Sequence, residues 1–275
     1  MKVLFAQSAK FDVRKSLKQT KGNMKIECWA SCIGGCSDKQ SREHLISNCL
    51  FPSGRLIVEG LPWFNKASKR ITSNSLTSNI LCAQHNKALS PVDAEGGRII
   101  ETIREFVHLR NTRRGLKAEQ FETMTYHLDG KMFQRWFMKT AINITQVIEG
   151  PLEWFENSSP VKNPPISFVE VAYGMKEMER PYGLFQSNSV NEVIAIEDAV
   201  SFQPLLVLNN KIIGFEFRFG GFKFMLWLCN IYPNKWKGLH SSLGNIWGNL
   251  EEPLRPGSIN YEVDGKISQV INFIW

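Results

Sequence analysis

Two short runs hold most of the chemistry open to this chain. Glu43-His44 puts a carboxylate beside an imidazole, and Cys82-x2-His85 followed at once by Asn86 puts two metal ligands beside an amide. Upstream lies Cys28-x3-Cys32-x3-Cys36, with Gly34-Gly35 between its last two thiols. Thiolates and an imidazole at such spacings close a tetrahedral zinc site, which staples a small fold. Carboxylate and amide oxygens are hard donors suited to Mg²⁺ or Mn²⁺. An imidazole neutral near pH 7 can take a proton from water.

Two thiolates from the first run, joined to Cys82 and His85, make a Cys₃His set. The glycine turn favours Cys32 with Cys36, because glycine allows the tight backbone reversal that lets two thiolates face one ion. Cys28 with Cys32 is the other pairing. Cys49 and Cys229 read as small buried hydrophobes. Phosphodiester hydrolysis needs an activated water, a cation for the charge building on the phosphate, and help for the leaving oxygen. Glu43, His44 and Asn86 supply such a catalytic set. His44 is the general base, Glu43 an oxygen ligand for Mg²⁺ or Mn²⁺, and Asn86 either a further ligand or the group that orients His44. Neighbouring strand residues point to opposite faces, so Glu43 and His44 need a twist or bulge to share a site. The competing reading is a non-catalytic zinc-stabilised module that binds nucleic acid or protein, with His44 an ordinary hydrogen-bonded histidine.

The elements that must position these groups are legible in outline. Leu45-Ile46 and their flanks read as a short strand that carries His44, Arg55 to Gly60 as a second strand, and the polar run from Ser68 to Asn79 as a loop. Ser90-Pro91-Val92-Asp93 has the form of a helix start, with serine as N-cap and Asp93 at the capping-box position. Ile99, Ile100, Ile103, Phe106 and Val107 then recur at helical spacing to about Leu109, and Asn111 to Gly115 stops the helix. A second helix is predicted over Met132 to Ile148, burying Phe133, Trp136, Phe137, Thr140, Ile144 and Val147.

Pro151 to Pro165 reads as a linker or long loop, and strands follow. They are Phe168 to Tyr173, Val193 to Ile196, Leu205 to Leu208, and Ile212 to Phe219 paired with Phe222 to Trp227 across Gly220-Gly221. A last hairpin joins Ile259 to Val263 with Ile267 to Trp275 across Asp264-Gly265. The expected class is α+β. Residues 1–95 form a zinc module, 96–150 a helical connector, and 151–275 a strand-rich domain for targeting or regulation.

A formal net charge of +7 suits a polyanionic partner, because lysine and arginine that neutralise phosphates release condensed counterions. Basic clusters flank the metal-binding run: Lys10 to Lys25 before it, Arg110 to Lys117 after the first long helix. DNA is the expected partner. Five of the six cysteines fall between Cys28 and Cys82, which points to metal before disulfides and to a reducing compartment. No apolar run reaches the ~20 residues of a membrane-spanning helix, and the start lacks the long apolar core of a signal peptide. A cytoplasmic location with no membrane partner is expected.

Ser41-Arg42-Glu43-His44-Leu45-Ile46-Ser47, then Asn74-Ser75-Leu76-Thr77, then Leu81-Cys82-x2-His85-Asn86-x2-Leu89-Ser90-x2-Asp93, together resemble a bacterial HNH endonuclease-like domain over residues 28–95. Asp129-Gly130 with Arg135-Trp136-x2-Lys139-Thr140 resembles a segment that often follows such a module. The resemblance implies a ββα-metal core with a structural zinc, divalent-cation-dependent cleavage of DNA with His44 as base, and Asn74 or Asn79 as the middle asparagine. It also implies service in restriction or phage defence, sometimes beside an ATPase partner. The chain departs from the pattern at two places: its upstream cysteines are three residues apart where two is commoner, and His85 stands where many members have cysteine.

Overall fold

A computed structural model describes residues 2–4, 27–51, 55–59, 69–148, 152–187, 199–207, 210–230 and 257–275, with the backbone alone at 2–4, 55–59, 69, 187 and 199. The expected strand at Val193 to Ile196 lies outside these residues.

Strand β1 (Lys2–Leu4) is followed by β2 (Gln40–His44), β3 (Arg55–Glu59), β4 (Lys69–Thr72) and β5 (Thr77–Cys82). Two helices come next, α1 (Ala83–Ala88) and α2 (Ser90–Arg113), then β6 (Met124–Asp129) and helix α3 (Gly130–Thr145). The remainder is β7 (Glu153–Trp154), helix α4 (Ile166–Ala172), and strands β8 (Gly183–Ser187), β9 (Ala199–Val207), β10 (Lys211–Phe219), β11 (Phe222–Trp227), β12 (Ser258–Val263) and β13 (Lys266–Ile274). Helix and strand are mixed along the chain, as an α+β fold requires.

The largest sheet runs β4-β3-β1-β9-β10-β11-β8, with β7 added on β10. Within it β1 lies parallel to β3 on one side and to β9 on the other. The segments expected as separate units at 1–95 and 151–275 therefore share one sheet. A second sheet, β12-β13-β6, takes β6 parallel to β13, and β2 pairs with β5 as an isolated antiparallel ladder.

Helix α3 sits at the centre because its face is apolar at helical spacing, and each fully buried aromatic there contributes roughly 1.5–3 kcal/mol. Phe133 lies 5.1 Å from Phe224, Trp136 5.6 Å from Phe217, and Phe137 5.4 Å from Phe217 between ring centroids. The helix thus packs on β10 and β11, with α2 beside it. A bulge between Ile212 and Gly214 sends Ile213 to the opposite face. There it joins a small cluster with Phe185, Leu205, Met225 and Trp227. One main core runs from Cys28 to Phe273, across all three expected segments.

The two C-terminal hairpins form as their turn residues require. Gly220-Gly221 and Asp264-Gly265 all have positive φ, 55° and 94° in the first turn and 50° and 76° in the second, as a two-residue hairpin turn demands.

Four expectations are corrected. The expected loop over Ser68 to Asn79 is not one from residue 69 on: β4, a short 3₁₀ turn and the start of β5 occupy it, because β4 pairs with β3 and β5 with β2, with Ser73 and Leu76 turned inward between them. Phe168 to Ala172 belongs to helix α4, with Tyr173 capping its end, and not to a strand. Phe168, Val169, Val171 and Ala172 are its buried residues, a helical spacing that tertiary packing favours over the β propensity of these types. Ser90 is not an N-cap: Leu89 takes that position with no side-chain bond, and Asp93 turns to other partners. The Pro151 to Pro165 run also carries β7 instead of serving as a plain linker. Among the described residues, no helix is long and apolar enough to cross a membrane.

Candidate metal centre

Cys82 ends β5 and begins α1, where its sulfur accepts the His85 amide at 3.5 Å. That local bond places the thiol and the imidazole one helical turn apart on one side. Cys28 is brought alongside by the amide of Trp29 donating to the Ile80 carbonyl at 3.1 Å. Gly34 and Gly35, at φ 76° and 72°, then turn the chain back so that Cys36 returns to the same point, a left-handed path that glycine takes without strain.

The sulfurs of Cys28, Cys36 and Cys82 lie 3.3, 3.6 and 3.3 Å from His85 Nδ1. The four ligand atoms all fall within 4.8 Å of one another. Ordinary zinc–sulfur and zinc–nitrogen bonds in a tetrahedron put sulfur and nitrogen about 3.5 Å apart, so this Cys₃His cluster could hold a metal ion such as zinc. Burial pushes the Cys28 thiol up to about 12. Burial also acts to raise Cys82, but the His85 amide, the Ser37 amide and hydroxyl, and the His85 ring bring it down to about 6. Tyr173 closes the site, its hydroxyl donating to the His85 carbonyl at 3.1 Å and its ring edge-on to the imidazole at 5.5 Å.

Cys32, expected in this set, is outside it. The 3₁₀ turn Ser31–Ile33 carries its side chain outward, where the thiol donates to the Trp29 carbonyl at 3.9 Å. Cys28 and Cys36, the ends of the run, make the pair that both expected pairings missed. Cys229 is buried as expected, but Cys49 is exposed, with its thiol donating to the Asp93 carbonyl at 3.2 Å.

The three expected catalytic residues meet different partners. The β2–β5 ladder shifts register between Ser41 and Glu43 but runs regularly through Glu43 and His44, so the two side chains keep opposite faces and the bulge does not bring them to one site. Glu43 turns into the core. It is 3% exposed, forms an ion pair with Lys139, and accepts the Asn143 amide at 3.1 Å. Burial raises its carboxyl, with the Lys139 charge opposing. The Lys139 ammonium also meets Asp93 Oδ1 at 2.6 Å and Oδ2 at 2.8 Å. Ser47 donates to Asp93 and accepts the Trp136 indole at 2.8 Å. The expected role of Glu43 as a Mg²⁺ or Mn²⁺ ligand does not fit this arrangement, because Lys139 already neutralises its carboxylate.

Asn86 is tied elsewhere: its amide donates to the Ser41 hydroxyl at 2.7 Å and reaches the Arg42 carbonyl at 3.5 Å, fastening α1 to β2. His44 is half-buried, and its Nε2 is enclosed with no hydrogen-bond partner among the described residues. Burial lowers its pKa while a hydrogen bond with the Asn74 side chain opposes the shift, so the ring is neutral at pH 7. Asn74, not Asn79, is therefore the asparagine that meets His44.

Lys139, Asp93, Asn143, Ser47 and Trp136 escaped the reading of the sequence as site residues. One signal was there: a lysine at position 139 falls in the middle of the apolar stripe of α3, where an unpaired charge is costly. Compared with protein families, curated proteins and solved structures, the chain matches none of them.

Proposed function

We propose that this chain is a zinc-stapled endonuclease of the HNH type that hydrolyses DNA phosphodiesters with His44 as general base. The observation that supports it is the setting of His44: a half-buried imidazole held neutral, its Nε2 unpartnered among the described residues but enclosed, on the strand paired with the one that ends at Cys82. A neutral imidazole can accept a proton from water as it attacks phosphorus once its Nε2, enclosed here, is opened to that water. A metal held by three thiolates and one imidazole has no open position, so zinc here acts on the fold and not on substrate. The net charge of +7 favours a polyphosphate substrate. Cytoplasmic service in restriction or phage defence, beside an ATPase partner, belongs to the same proposal and rests on the resemblance alone.

A second reading is favoured by the Glu43–Lys139 pair: a zinc-stabilised module that binds nucleic acid or protein without cleaving, its acidic residue given over to the core. One assay separates the two. Zinc-loaded wild type and His44→Ala are incubated with plasmid and linear DNA, with and without Mg²⁺ or Mn²⁺, and zinc is counted on both proteins. Nicking by the wild type that His44→Ala abolishes at unchanged zinc content is the expected result. DNA binding by both proteins with cleavage by neither would leave the second reading.

A further inference from the structure

The carboxylates of Glu43 and Asp93 converge on one point from different elements, β2 and α2, and α3 delivers an ammonium to that point. We propose that the Lys139 ammonium is the resident cation of a Glu43–Asp93 site, and that a hard divalent ion such as Mn²⁺ binds there only once that ammonium is removed. The inference takes from the nuclease reading only the expected role of Glu43 as an oxygen ligand.

Lys139 is 1% exposed and contacts Glu43 Oε1 and both oxygens of Asp93, which matches the three donors of an ammonium. Donors outside the ion pair hold both carboxylates in place. The Asn143 amide reaches Glu43 at 3.1 Å, and the Ser47 hydroxyl, itself fixed by Trp136, reaches Asp93. The site is thus a pair of carboxylates held by β2, α2, α3 and Ser47 around a cation that the chain carries itself. Two carboxylates this close repel each other unless a positive charge lies between them. One ammonium leaves the trio a formal charge of −1, whereas a divalent ion in its place would bring the sum to zero. Oxygen donors of this kind are the ligands that Mg²⁺ and Mn²⁺ prefer.

The test counts bound ions and needs no cleavage. Zinc-loaded full-length protein is titrated with Mn²⁺, with free ion followed by electron paramagnetic resonance and the melting temperature recorded in parallel. Wild type is expected to bind no Mn²⁺ that Glu43→Gln removes, and to melt at the same temperature with or without it. Lys139→Met is expected to melt lower, to bind about one Mn²⁺ per chain, and to regain its melting temperature as it does so. Adding Glu43→Gln to that variant should abolish the binding. Wild-type uptake of Mn²⁺ that is lost in Glu43→Gln overturns the proposal, because the ion then displaces the lysine. A Lys139→Met chain that takes up no Mn²⁺, or that stays unfolded in its presence, overturns it equally. A failed cleavage assay leaves this result standing, and the reverse holds too.

Discussion

Lys139 and Glu43 form an ion pair sealed from solvent on both sides, with the two side chains 1% and 4% exposed. The pair joins α3 to the strand that carries His44, and Asp93 extends it to α2. Removing one partner of such a pair strands the other in a medium that cannot solvate it. Without added divalent ion, Lys139→Met should cost about 3–5 kcal/mol in urea unfolding of the zinc-loaded protein, whereas Lys139→Met with Glu43→Gln should cost less than the single change. A double variant that loses the full sum of both single losses would show that the two charges are not coupled.

Zinc content separates the cysteines. Cys28→Ser and Cys36→Ser each remove a thiolate that lies within 3.6 Å of His85 Nδ1, and both should lose bound zinc on dialysis. Cys32→Ser should keep it, since that thiol faces the Trp29 carbonyl. Because binding of a structural zinc is largely folding free energy, the first two variants should also unfold at lower urea. Zinc loss from Cys32→Ser would return the ligand set to the one the spacing suggested.

Why the sequence pointed to Cys32 is physical. Gly34-Gly35 does make the reversal, and Cys36 does return to the centre. A short 3₁₀ turn, however, precedes the glycines and points Cys32 away, and no local pattern announces that turn. Long-range contacts were harder still. Helix α3 was readable from its aromatic stripe and the two glycine hairpins from their turns, because those signals are local. The parallel placement of β1 between β3 and β9 joins residues nearly two hundred positions apart, and the Glu43–Lys139 pair joins β2 to α3 across nearly a hundred. In α4, packing overrode a β-like composition, and in β4 and β5 strand pairing overrode a loop-like one.

The acid limb of activity should lie low. Burial depresses His44 below its ordinary 6.5, so cleavage should persist to more acidic pH than an exposed imidazole allows. Asn74→Ala removes the bond that opposes the shift and should move that limb lower still. Stability has the same sign. With the folded pKa depressed, the unfolded chain binds more protons below about pH 6.5, and the contribution of His44 is lost as pH falls through the folded value. Urea unfolding of wild type and His44→Asn at pH 7.5 and 5.5 checks this. The stability gap between them should change in favour of the variant at the lower pH, and a gap independent of pH would remove the buried neutral imidazole from the account.

The ion-paired site depends on how closely α2 approaches α3. A Cβ added at Gly96 would lie 2.2 Å from Cδ1 of Trp136, and Trp136 is fully buried with stacked and edge-on aromatic neighbours, so the ring has nowhere to go. The helices would have to separate. Gly96→Ala should therefore cost about 1–3 kcal/mol by overpacking, despite the better helix propensity of alanine. The same displacement draws the Trp136 indole from Ser47 and loosens the hydroxyl that holds Asp93. Gly115→Ala is the control, because a Cβ there meets nothing within 4 Å among the described residues. Urea unfolding of the two variants should show a clear loss for Gly96→Ala and little change for Gly115→Ala. Equal stability of both would mean that α2 and α3 pack less tightly than Trp136 and Gly96 indicate.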